Sequence, residues 1–151
     1  MHVGHINLAE AFNGVGEHFV RLIEELKLHG VEQHVVVRNT ELAKRLEIID
    51  GVTVGPCVRS AVTAYCLMPN VDVVHLHDRS SWNAGLLLVL TRSIPFVMTA
   101  DKAIALSNSP LVSAVRNRAA SLVDPEIAEV STHIQIYRQA ADQLSMPTLM
   151  L

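Results

Sequence analysis

Short β-branched runs alternate with stretches of helical spacing from the N-terminus to about residue 107, and few folds accept that order. The runs are HVGHINL (2–8), QHVVVR (33–38), VTVGP (52–56), VDVVHLH (71–77), IPFVMT (94–99) and AIALS (103–107). Between them, residues 16–29 carry Phe19, Leu22, Ile23 and Leu26 at helical spacing and close on Gly30, while Glu17 and Arg21 form an i,i+4 pair. Further helices are expected from Asn39 or Thr40 to Ile49, over 59–68 before Pro69, and from a Ser80 or Ser81 cap to Thr91. Strands alternating with helices of this length specify βαβ units with right-handed crossovers. The expected fold class is therefore α/β: a single Rossmann-like domain, its mostly parallel sheet flanked by helices. Half of the 151 residues are hydrophobic and 18% are charged, as strands buried on both faces require.

The last forty residues read differently. Ser109-Pro110 and Asp124-Pro125 each open a helix with proline in the first turn. The second, over 125–144, places Ile127, Ile134, Tyr137, Ala141 and Leu144 on one stripe. The expected division is a Rossmann-like domain over 1–123 and a C-terminal helix and tail over 124–151 packing on it.

Several function classes are disfavoured. A net charge of −3 without a basic stripe argues against nucleic acid. The longest apolar run, Leu86 to Leu90, is too short for a transmembrane segment. The opening MHVGHINLAE has no basic region before its apolar part, unlike a signal peptide. Cys57 and Cys66 lack CxxC spacing and read as reduced thiols, so a cytoplasmic location is expected.

Two motifs carry potential chemistry. Ala11-Phe12-Asn13-Gly14-Val15-Gly16-Glu17 runs into the first helix, where glycines let backbone N–H groups approach a phosphate. It fails as a dinucleotide fingerprint, since Phe19 stands at the third glycine position and Arg38-Asn39 ends the second strand without an acid. A plain connecting turn and an anion-contacting loop both remain open. His75-Leu76-His77-Asp78 ends the fourth strand, with both histidines on one face. His75 reads as a buried structural residue, and His77 and Asp78 as cleft residues at a strand's C-terminal end. No metal is expected, because the two histidines lack a third ligand. His2, His5, His18, His29, His34 and His133 read as solvated or packed. No G-x-S-x-G or Walker pattern occurs, which disfavours an autonomous hydrolase using His77 and Asp78.

The string HINLAEAFNGVGEHFVRLIEEL, followed in order by QHVVVR, DVVHLHD, PFVMT and ADKAIALS, resembles the N-terminal domain of family 4 glycosyltransferases. These are retaining GT-B enzymes, in which two Rossmann-like domains face each other across a cleft. The resemblance covers roughly residues 1–118. It implies an acceptor-binding half, a nucleotide sugar as donor on the other half, and no cofactor or metal. By the same likeness Gly14, Gly16 and Glu17 face the cleft near the donor phosphates, and His77 and Asp78 stand at the HxHD strand end. Where the family carries Thr-x-His, this chain has Thr99-Ala100-Asp101, which leaves Asp101 as a poor substitute for a catalytic histidine. The C-terminal domain with its Glu-x7-Glu motif has no counterpart, while EIAEVSTHIQIYRQAADQL resembles the family's terminal crossover helix. The expected function is the acceptor or sugar-phosphate half of such a transferase, weak or inactive alone, with a glycan or glycolipid acceptor. The alternative is a noncatalytic remnant or interaction protein, forming a homodimer or pairing with a chain that supplies the missing half.

Overall fold

The computed structural model describes residues 1–99, 120–123 and 129–145. Its strands are β1 (His2–Asn7), β2 (Glu32–Val37), β3 (Val52–Val54), β4 (Val73–Leu76), β5 (Phe96–Thr99) and β6 (Ala120–Val123). They form one sheet in the order β3-β2-β1-β4-β5-β6, and every pairing is parallel. The helices are α1 (Gly14–Leu28), α2 (Thr40–Glu47), α3 (Ala61–Leu67), α4 (Trp82–Arg92) and α5 (Val130–Ser145). The expected α/β Rossmann-like class is the observed one, and the strand order reverses between β1 and β4.

Alternation along the strands sorts the core into two layers. Ile6, Val74, Leu76, Phe96 and Met98 pack with Ala64, Met68, Ala84 and Leu88 on the α3/α4 side. Val3, Val73 and Val97 pack with Leu26, Val130 and Tyr137 on the α1/α5 side, continued under α1 and α2 by Phe19, Ile23, Val35 and Leu46. Gly85 permits the close seating of α4, since a Cβ there would stand 2.5 Å from Leu76 Cδ1 and 3.1 Å from the Phe96 ring. Gly30, at φ +73°, ends α1 in the left-handed conformation that glycine adopts without steric cost.

Local chemistry shifts several expected boundaries. Asn13 caps α1 by accepting from the Val15 N–H at 3.1 Å, so Gly14 and Gly16 fall inside the first helical turn rather than in the loop before it. Glu17 pairs with Arg45 of α2 at 3.4 Å instead of with Arg21. Asn39 caps α2 through the Leu42 N–H at 2.9 Å, and Ser60 caps α3. Neither serine caps α4: Asp78 caps a 3₁₀ turn over Arg79–Ser81 that leads into it, and Ser81 makes no cap bond. Helix α5 is described over Val130–Ser145, with the Glu129 carbonyl accepting from His133 N–H at 3.3 Å; the expected start at Asp124-Pro125, and Ile127 with it, lie outside the described residues. Its buried face is Val130, His133, Tyr137 and Ala140, so Tyr137 is buried as expected while Ala141 is only partly buried.

Strand β6 was not legible in advance, because four residues carry too short a pattern without knowledge of the β5 edge beside them. The expected strand over 103–107, the helix opened by Ser109-Pro110, and Asp101 lie outside the described residues. Cys57 and Cys66 are unpaired and both exposed. Among the described residues no helix is long and apolar enough to cross a membrane.

Candidate functional site

The α1/α5 layer contains a polar seam. Period-two alternation puts Val3, His5 and Asn7 of β1 on that face, beside Val73, His75 and the following His77 of β4. His5 and His75 are register partners, so their side chains leave the sheet side by side. Both are fully buried, Asn7 is buried, and His77 is partly buried. From above, α1 contributes Phe19, whose ring meets His77 edge-on at 4.3 Å, and α5 contributes His133 and Tyr137.

Hydrogen bonds join these groups in two chains. His5 Nδ1 and His77 Nε2 are 3.1 Å apart. His75 Nδ1 lies 2.6 Å from the Tyr137 hydroxyl and its Nε2 lies 2.6 Å from Thr99 Oγ1. His5 Nε2 and Gln33 Oε1 are buried without a hydrogen bond. Ring centres are 3.8 Å apart for His75 and His77, 5.3 Å for His5 and His77, and 5.9 Å for His5 and His75.

Burial dominates the electrostatics. Desolvation, with repulsion from His133, takes His5 down to about 3. His75 falls well below the ordinary histidine range by burial, then by repulsion from His5 and His133. His77 does the same, with His75 as its strongest repelling neighbour. His133 is lowered by burial too, against the opposing pull of the Glu129 carbonyl and the Glu25 carboxylate. Burial raises the Tyr137 hydroxyl. All four imidazoles are therefore neutral at pH 7, able to act as bases, hydrogen-bonding groups or metal ligands.

A pocket of about 250 Å³ opens beside this cluster, lined by Asn7, Phe19, Arg21, His77, Thr99 and His133 among others. Asn7, His77 and Thr99 stand at the C-terminal ends of β1, β4 and β5, where the strand order reverses. That is where open α/β sheets hold their ligands. No serine or cysteine lines this pocket among the described residues.

Of the sequence-predicted site residues, His77 lines the pocket. Gly14 is exposed in the first turn of α1, Gly16 is buried against the Phe12 ring, and exposed Glu17 is engaged with Arg45. Asp78 holds backbone: its carboxylate accepts from Leu8 N–H at 2.7 Å and from Ser80 N–H at 2.8 Å, joining the ends of β1 and β4. Sequence reading overlooked Asn7, Thr99 and His133. His5 and Asn7 do share the period-two spacing of the HxH strand, and His133 stands four residues before Tyr137. Both signals were present; strand adjacency was needed to combine them. The premise that His75 and His77 lack a third ligand is also corrected, since His5 joins them with all three ligand nitrogens within 4.8 Å of one another.

No protein-family model and no curated protein matches the chain. Solved structures of glycosyltransferases are among those that share its fold. The apo-form glycosyltransferase GlyE of Streptococcus pneumoniae TIGR4 is 14% identical with a TM-score of 0.56, over 92% of this chain and 32% of that one. The glycotransferase of kitacinnamycin is 16% identical with a TM-score of 0.51, over 96% of this chain and 37% of that one. The likeness is one of fold, and this chain spans about a third of the length of each.

Proposed function

We propose that this domain is the acceptor or sugar-phosphate-binding half of a nucleotide-sugar-dependent retaining glycosyltransferase of the family 4, GT-B type. The observation that carries the reading is the pocket at the strand reversal between β1 and β4, where Asn7, Arg21, His77 and Thr99 offer polar groups to one ligand. Neutral imidazole, amide and hydroxyl groups suit sugar hydroxyls, and the Arg21 guanidinium suits a phosphate. The fold shared with two glycosyltransferases supports the same reading.

On this reading the pocket positions the sugar, while a nucleotide-sugar-binding domain, in this polypeptide or a partner chain, supplies the donor. A leaving diphosphate needs preorganised positive groups on the donor side, and one wall of a cleft provides few of them. The site residues carried over from the family, Gly14, Gly16 and Glu17, would then edge the cleft on its α1 side. The setting is cytoplasmic, the acceptor is a glycan or glycolipid headgroup, and no cofactor is required.

Titration of the folded chain with glucose 1-phosphate, followed by amide and side-chain NMR, tests the reading. Shifts concentrated at Asn7, Arg21, His77 and Thr99, lost in Arg21→Ala, are expected. A folded chain whose pocket signals move with neither glucose 1-phosphate nor a glycolipid headgroup would sink it.

A further inference from the structure

Three imidazoles from two adjacent strands converge beneath the pocket, and family likeness gives them no common task. We propose that His5, His75 and His77 bind a divalent transition-metal ion of the zinc class, with its fourth position open to the pocket. Their ligand nitrogens already lie within 4.8 Å of one another. The edge between two nitrogens on a tetrahedral zinc is about 3.3 Å, from bonds of about 2.0–2.1 Å. His5 Nδ1 and His77 Nε2 stand at 3.1 Å, so an ion between them finds that edge formed once the donating ring shifts its proton to its other nitrogen.

Ring spacing points the same way. Three imidazoles on one such ion place their centres roughly 5 Å apart. The pairs His5–His77 and His5–His75 stand at 5.3 and 5.9 Å. His75 and His77, at 3.8 Å, must part on binding. His77 is the ring able to move, because it is only partly buried and borders the pocket.

The surroundings match those of a histidine metal site. A metal-bound histidine normally holds its other ring nitrogen in a hydrogen bond that fixes tautomer and orientation. His75 has that bond, from Nδ1 to the Tyr137 oxygen at 2.6 Å. Its Nε2 faces Thr99 Oγ1, a pocket-lining hydroxyl that an arriving ion displaces. His133 and the Glu25 carboxylate line the same pocket, offering a further nitrogen and a compensating negative charge. Imidazoles select zinc, copper or nickel over magnesium and calcium, which want oxygen.

The zinc site shares His77 and Thr99 with the sugar pocket, but zinc and glucose 1-phosphate binding are read in separate titrations, so either property can fail alone. The test uses the full chain, dialysed against EDTA and titrated with zinc chloride by calorimetry. One equivalent should bind and raise the melting temperature, while magnesium chloride does neither. His77→Ala should weaken zinc by more than about 100-fold. Tyr137→Phe, which keeps the ring and removes the oxygen beside His75, should cost about 10-fold. Cobalt chloride should give the visible bands of a tetrahedral ion. Ring nitrogen NMR of the wild-type chain, which needs no variant, should show zinc-dependent shifts at His5, His75 and His77. Failure of the wild-type chain to bind zinc one to one overturns the site. So does zinc that shifts only the other histidines, or that binds a folded His77→Ala chain as tightly as wild type.

Discussion

The Tyr137 hydroxyl and His75 Nδ1, 62 residues apart in the chain, meet at 2.6 Å in the buried α1/α5 layer. That bond fastens α5 onto β4. Because the other nitrogen of His75 faces Thr99 at the pocket, it also orients the ring that the candidate site depends on.

Tyr137 should therefore be a stability residue with a separable polar part. Tyr137→Ala empties a fully buried aromatic position and should cost about 3–5 kcal/mol in urea unfolding. Tyr137→Phe keeps the packing and leaves a His75 nitrogen unpartnered, at about 1–3 kcal/mol. Equal losses in the two variants would show that α5 is held by the hydroxyl alone.

Stability should fall with acid. The buried histidines are neutral in the fold and titrate near 6.5 when unfolded, with His5 lowered to about 3. Above pH 6.5 their contribution is fully present. Below it the unfolded chain binds protons that the fold refuses, so stability is lost as pH falls toward 3. His5 alone should remove up to about 1.4 kcal/mol per pH unit there, with His75 and His77 adding to it. Urea melts of metal-free protein between pH 7.5 and 4.5 measure the slope, which should be shallower in His77→Gln. A flat profile would place these imidazoles in contact with water.

Asp78→Ala should destabilise the junction between β1 and β4. The substitution leaves the Leu8 and Ser80 amides without their acceptor, and a loss of about 2–4 kcal/mol is expected from two charge-assisted bonds. Asp78→Asn retains one acceptor oxygen and should recover about half. If Asp78→Ala unfolds at the wild-type urea concentration while glucose 1-phosphate binding is lost, Asp78 belongs to the ligand rather than to the scaffold.

On the proposed half-enzyme reading, the chain alone should transfer no sugar from common nucleotide sugars. A radiolabelled-donor assay with purified protein measures this. Turnover that disappears in a folded Gly16→Trp variant would show that one domain suffices.

Much of this fold was legible because its signals are local. Val35, Val36 and Val37 make a β-branched run that only a strand buries, Asn39 caps a helix wherever it precedes one, and Gly30 stops α1 whatever lies beside it. The two-residue step from His75 to His77 showed that both share a face. What the step could not show was which strand lies beside them, so His5, seventy residues earlier, read as an ordinary packed residue.

Pairing of β1 with β4 is a long-range choice, made by the burial of both strands beneath α1 and α5, and it alone sets His5 beside His75. The same holds for Glu17, whose sequence neighbour Arg21 was the expected partner until helix packing brought Arg45 closer. Local periodicity and capping chemistry thus determined the elements and their order from the sequence by itself. Only the tertiary structure decided the site, because contacts across a parallel sheet depend on strand order, and burial, which neutralises the histidines gathered there, exists only once the layers have closed.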